Sequence, residues 1–266
     1  MEFIEQFISY FTDQGVSRGV AITYIAVSAL IAIMAIVVIV MRIYLMFAYH
    51  DGNTKKTKSG KTSTQVAREA LDKAGLKHIQ IKKAGFFRAF FIGNCYSITK
   101  KTIFLRKGIY DKDSITAVSM ALQKVGVAKL CEQGDTKTRT RNIMQILSLV
   151  GPVLFVPVVL LGFILDIVLF NVFGMFSIVG IIIGLILVFS GFIATLLNLP
   201  VEKHANNIAL DIINKTSVLS QDEIVIVKKV FKAYIVSYVC EFIVAVLRTI
   251  QIVLEIVMNA QINNNK

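Results

Sequence analysis

"VAITYIAVSALIAIMAIVVIVM" (residues 20–41) decides what kind of fold this chain adopts. The stretch carries no charge, and about 20 helical residues of this kind cross the hydrocarbon core of a bilayer. Three further apolar runs follow. Residues 143–165 end at Asp166, residues 175–199 are uncharged, and residues 231–258 are interrupted by Lys232, Glu241, Arg248 and Glu255. The whole chain of 266 residues is 55% hydrophobic, too apolar for an ordinary soluble domain. The first run is not a cleaved signal. It exceeds the roughly 7–15 residues of a signal core, it follows acids (Glu2, Glu5, Asp13), and Arg42 rather than a small-residue cleavage site comes after it.

Charge sets the expected orientation. Residues 51–141 hold 20 Lys and Arg against 7 Asp and Glu, which is +13, slightly above the +12 of the whole chain. Basic residues next to membrane spans stay on the cytoplasmic side. The N-terminus (1–19) is therefore expected outside, and residues 20–41 as the first span. Residues 51–142 form a basic cytoplasmic unit, and 143–199 a transmembrane hairpin turning near 171–174. Residues 200–229 return to the cytoplasm. In the last segment, 230–258, Glu241, Arg248 and Glu255 recur every seven residues and share one helix face. That stripe faces the bundle, a partner or water if the segment spans, and solvent if it lies in the interface. The expected fold is mainly α and integral to the membrane, with three to four membrane helices and a small cytoplasmic α+β unit.

Within the unit, "DGNTKKTKSG" (51–60) reads as a flexible basic linker. Thr62 with Gln65 makes a capping box, and a helix follows with an apolar stripe of Val66, Ala67, Ala70, Leu71 and Ala74 until Gly75 stops it. "HIQIK" (78–82) and "KTIFLR" (101–106) alternate as strands do. A longer helix (114–133) starts at Asp113 or Ser114 and closes before Gly134.

Several motifs have plain structural readings. "SGKT" (59–62) looks like the tail of a phosphate loop, but Lys55 stands where the first glycine belongs. "GFFRAFF" (85–91) is an aromatic–basic cluster better suited to membrane contact or core than to nucleic acid, and no nucleic-acid partner is expected. Cys95, Cys131 and Cys240 show no C-x-x-C spacing and read as free thiols. His50 and His78 are isolated.

"SGKTSTQVAREALDKAGL" (59–76), Tyr96, "TKKTIFLRKGIYDKDSITAV" (99–118), "ALQKVGVAKL" (121–130) and "LLNLPVEKHANNIALDII" (196–213) follow one another in an order that resembles the YugP-like family of membrane-embedded neutral zinc metallopeptidases. The resemblance covers about residues 55–260. In that family the long cytoplasmic helix carries H-E-x-x-H. Two histidines on one helix face bind zinc, and the glutamate is general base toward zinc-bound water. The resemblance lays the first histidine on Gln123, the base on Lys124, the second histidine on Val127, and a third ligand on Glu202. The motif is degenerate, reading Q-K-V-G-V. Gln123 is a poor zinc ligand, Val127 ligates nothing, and Lys124 puts a cation where a base belongs. An aspartate- and histidine-containing segment of the family falls on "NCYSI" (94–98), where Tyr96 alone matches.

The resemblance therefore implies a pseudopeptidase of the cell membrane, catalytically inactive and without zinc. Its role would be that of a binding, scaffold or regulatory subunit, in contact with membrane lipids and a protein or peptide partner, alone or as a homo- or hetero-oligomer. One alternative is an active zinc peptidase with reassigned ligands (Cys95, Cys131, Glu202, His204), since thiolate, imidazole and carboxylate all suit zinc. Another is a channel or transporter component. The central apolar runs carry few polar residues (Asp166, Ser177, Ser190), fewer than a pore usually has.

Overall fold

The computed structural model describes residues 2–169 and 174–264. It is mainly helical, with one small sheet and two compact units, residues 1–44 with 236–266 and residues 45–235. Among the described residues, three helices are long and apolar enough to cross a membrane: Arg18–Thr54 (α2), Met175–Thr216 (α7) and Gln221–Asn264 (α8). The last contains the interrupted run. The hairpin turn expected near 171–174 lies mostly outside the described residues, as do the side chains of 148–156 within the second apolar run.

The first unit is built from Glu2–Asp13 (α1), the start of α2 and the end of α8. Ser17 N donates to Gln261 Oε1 at 2.9 Å, Tyr24 Oη to Glu255 Oε1 at 3.1 Å, and Arg42 pairs with Glu241 at 3.8 Å. These contacts run antiparallel along α2 and α8. Two members of the seven-residue polar stripe, Glu241 and Glu255, thus face α2.

The second unit surrounds one central helix. Its elements in order are the end of α2, Ser63–Lys73 (α3), Gln80–Lys83 (β1), Phe86–Phe91 (α4), Cys95–Ser97 (β2), Thr102–Leu105 (β3), Ile115–Glu132 (α5), Thr136–Ile164 (α6), α7 and the start of α8. The sheet order is β1-β3-β2, with β1 parallel and β2 antiparallel to β3. α3 starts as its capping box predicts: Thr62 accepts from Gln65 N, and Gln65 Oε1 accepts from Thr62 N. It ends before Gly75, whose φ of +73° suits a residue without Cβ. α5 is capped by Ser114 and buried on every face from Ile115 to Ala128. A π-helical turn at Leu165–Leu169 follows α6. There Asp166 accepts from the backbone N of Phe176 at 2.7 Å and of Ser177 at 2.8 Å, satisfying free donors at the start of α7.

Three expectations change. Residues 51–60 are not a free linker. α2 continues to Thr54, Thr57 N donates to Asp113 O at 2.7 Å, and Lys58 N donates to Glu223 Oε1 at 2.7 Å. Charge density hid these local pairings. The connection between the expected strands contains α4 and the edge strand β2, both too short for a periodic signal. The apolar run 175–199 and the "LPVE" segment are one continuous helix, α7, with Pro200 inside it.

Candidate functional site

Glu202 lies on α7, 1% exposed, and α5 and α6 converge on it. Lys124 Nζ donates to Glu202 Oε1 at 3.3 Å. Arg141 Nη2, from α6, donates to the same oxygen. Gln123 Nε2 donates to Glu202 Oε2 at 2.7 Å and to Asn206 Oδ1 at 2.8 Å. Behind them Arg141 is held by Asn198 Oδ1 at 3.0 Å and Asn142 Oδ1 at 2.9 Å. Lys124 and Arg141 thus share one buried carboxylate, and counted at formal charges the Lys124–Arg141–Glu202 group carries an excess of one positive charge.

The close approach of α5 to α7 comes from Gly126. A Cβ there would stand 2.7 Å from the backbone oxygen of Ala205, inside any tolerable contact. This accounts for the glycine in "ALQKVGVAKL": it lets Gln123 and Lys124, on the preceding turn, reach Glu202. Val127 is buried and packs in the apolar core. Burial holds the Lys124 ammonium below its ordinary range. The attraction of Glu202 opposes this shift, and the repulsion of Arg141 adds to it.

A second cluster closes the C-terminal end of α5. Glu132 Oε1 accepts from Tyr96 Oη and from Lys101 Nζ, both at 2.6 Å, and Oε2 lies 3.3 Å from His78 Nε2. Partial burial raises the Glu132 pKa, but these donors outweigh it and hold the carboxyl below its ordinary range. Cys131 is buried beside Asn142 Nδ2 at 3.5 Å, and burial pushes its thiol up to about 11.

Gln123, Lys124 and Glu202 therefore meet, with Val127 beside them in the core. Cys95, Cys131 and His204 do not join Glu202 as a metal centre: Cys131 turns to Asn142, Cys95 is half-buried beside Arg88, and His204 is exposed on α7. Among the described residues no three His, Cys, Asp or Glu side chains gather into a group that could hold a metal. The positions laid on the zinc site do not fit a zinc ion. They offer an amide, an ammonium, a valine and one carboxylate already held by two cations. Sequence reasoning missed Arg141, Asn142, Asn198 and Asn206. A signal existed for two of them, since Asn198, Glu202 and Asn206 recur every four residues and so mark one polar face of α7.

Comparison with known proteins places this geometry. Residues 20–257 match the profile of a family described as "Putative neutral zinc metallopeptidase". The chain belongs to that family. Across 200 residues it is 26% identical to the "Putative membrane protease YugP" of Bacillus subtilis (strain 168), a match covering 74% of this chain and 81% of that protein. No solved structure matches. The family match runs through α2, α5, α6 and α7, so the Glu202 cluster falls within the neutral zinc metallopeptidase region.

Proposed function

We propose that this member of the neutral zinc metallopeptidase family is a membrane-bound binding, scaffold or regulatory subunit that does not cut peptides. The Glu202 cluster carries the reading. Hydrolysis by a zinc-bound water needs a group that takes up a proton. Lys124, laid on the base position, has its amine committed as a donor to Glu202. Glu202, laid on a ligand position, already accepts from three side chains. A protein or peptide partner would then be held without cleavage, with residues 50–142 and 200–229 on the cytoplasmic side. Zinc analysis of the purified protein tests this. Well under one equivalent is expected, together with uptake by the Gln123→His/Lys124→Glu/Val127→His variant. Stoichiometric zinc in the native protein, lost when Cys95, Cys131 or His204 is replaced, would instead establish a peptidase with reassigned ligands.

A further inference from the structure

Helix α4 turns all four of its phenylalanines outward: Phe86 is 79% exposed, Phe87 76%, Phe90 70% and Phe91 61%. At about 100° per residue these positions lie within about 140° of one another, so they form one helix face. Arg88 and Ala89 lie on the opposite side. That side is fixed to the sheet. The Arg88 guanidinium sits 4.1 Å from the centre of the Phe104 ring, and Arg106 Nε donates to Ala89 O at 2.9 Å. The rings also brace one another, with Phe86 and Phe90 stacked at 6.3 Å and Phe90 edge-on to Phe91 at 5.0 Å. The helix is thus held with its aromatic face out. An apolar surface of this kind marks a binding face.

Two observations identify what covers it. Arg88 and Ile92 line a groove of about 160 Å³ together with Ile143 and Ile146 of α6. Ile143 begins the second apolar run, so α4 sits beside the point where α6 becomes apolar. Lys82 and Lys83, immediately before α4, are exposed, as are Lys100 and Lys107, in a segment carrying +13. Aromatic rings settle at the boundary of headgroups and acyl chains, and basic residues beside them are drawn to anionic lipid.

We propose that α4 is an interfacial anchor whose four rings enter the surface of an anionic phospholipid bilayer, with Lys82 and Lys83 at the lipid phosphates. The anchor would fix the height of the β2 edge and of the neighbouring groove relative to the membrane. It acts whether or not the chain cuts peptides.

The chain contains no tryptophan, so one introduced ring reports cleanly. The full-length Phe90→Trp protein is reconstituted into vesicles of phosphatidylcholine alone or mixed with phosphatidylglycerol, with and without brominated acyl chains. Phe87→Trp serves as a second reporter, and the exposure of both side chains leaves the core intact. The expected result is blue-shifted emission, shielding from aqueous acrylamide, and several-fold stronger quenching by brominated lipid when phosphatidylglycerol is present. Lys82→Gln/Lys83→Gln should return that quenching to the phosphatidylcholine level. Both reporters staying open to acrylamide and unquenched by brominated lipid would overturn the anchor and leave the face for a protein partner. Equal quenching in the two vesicle types would overturn the role of anionic lipid.

Discussion

Removing the charge of Glu202 should do far more damage than removing that of Lys124, although the two form one ion pair. Glu202→Gln strands two buried cations, Lys124 and Arg141, against each other. Breaking a buried pair from one side costs about 3–5 kcal/mol. At the 3.3 Å separation from Lys124 and an effective dielectric of about 20, the gross attraction is about 5 kcal/mol. The two figures agree in scale. Lys124→Met removes the surplus cation and leaves Arg141 opposite Glu202, so its expected cost is under about 1 kcal/mol. Combining both changes relieves one stranded cation and should recover about 1–2 kcal/mol relative to the sum of the single effects. The assay is equilibrium unfolding in mixed micelles across the four proteins of the cycle. Strict additivity would mean that Lys124 and Glu202 do not meet in the folded protein. A Glu202→Gln cost no greater than that of replacing an exposed carboxylate such as Glu69 would refute the buried network itself.

Gly126→Ala forces a methyl group against the Ala205 backbone and should destabilise the protein by about 1–3 kcal/mol, read in the same unfolding assay; an unchanged midpoint would show that α5 and α7 do not approach closely. The lowered pKa of Lys124 gives a pH signature. The unfolded chain binds the proton more tightly, so stability rises with pH between the lowered folded value and 10.5. Wild type should gain stability relative to Lys124→Met across that window, and parallel curves would refute the shift. For orientation, a cysteine at exposed Lys56 should resist an impermeant thiol reagent in intact cells, and one at exposed Met175 should react, with Cys95 replaced to remove its partly accessible thiol. The reverse pattern would invert the topology.

Local signals were strong where one or two residues settle a backbone problem. Thr62 with Gln65, Gly75 and Ser114 marked helix ends because each satisfies or relieves specific backbone groups. β1 and β3 were legible from alternation, whereas β2 has three residues and α4 has six, too few for a period. At the site, Gln123, Lys124 and Glu202 were legible through resemblance. Arg141 was not, because a basic residue before an apolar run reads first as a membrane-side marker. Its role depends on Asn198 and Glu202, which lie 57 and 61 residues away. Thr57 sits in a run of lysines and looked solvated. Its burial follows from pairing with Asp113, a distant partner that composition does not reveal.

The dispersal of the Glu202 cluster along the chain also sets an order of assembly. Lys124 and Arg141 are synthesised 78 and 61 residues before the carboxylate that neutralises them. Until α7 is in place, both cations must stay hydrated, and α5 lacks the surface against which Gly126 packs. The central helix of the unit therefore completes its burial only after the chain has passed through α6 and most of α7.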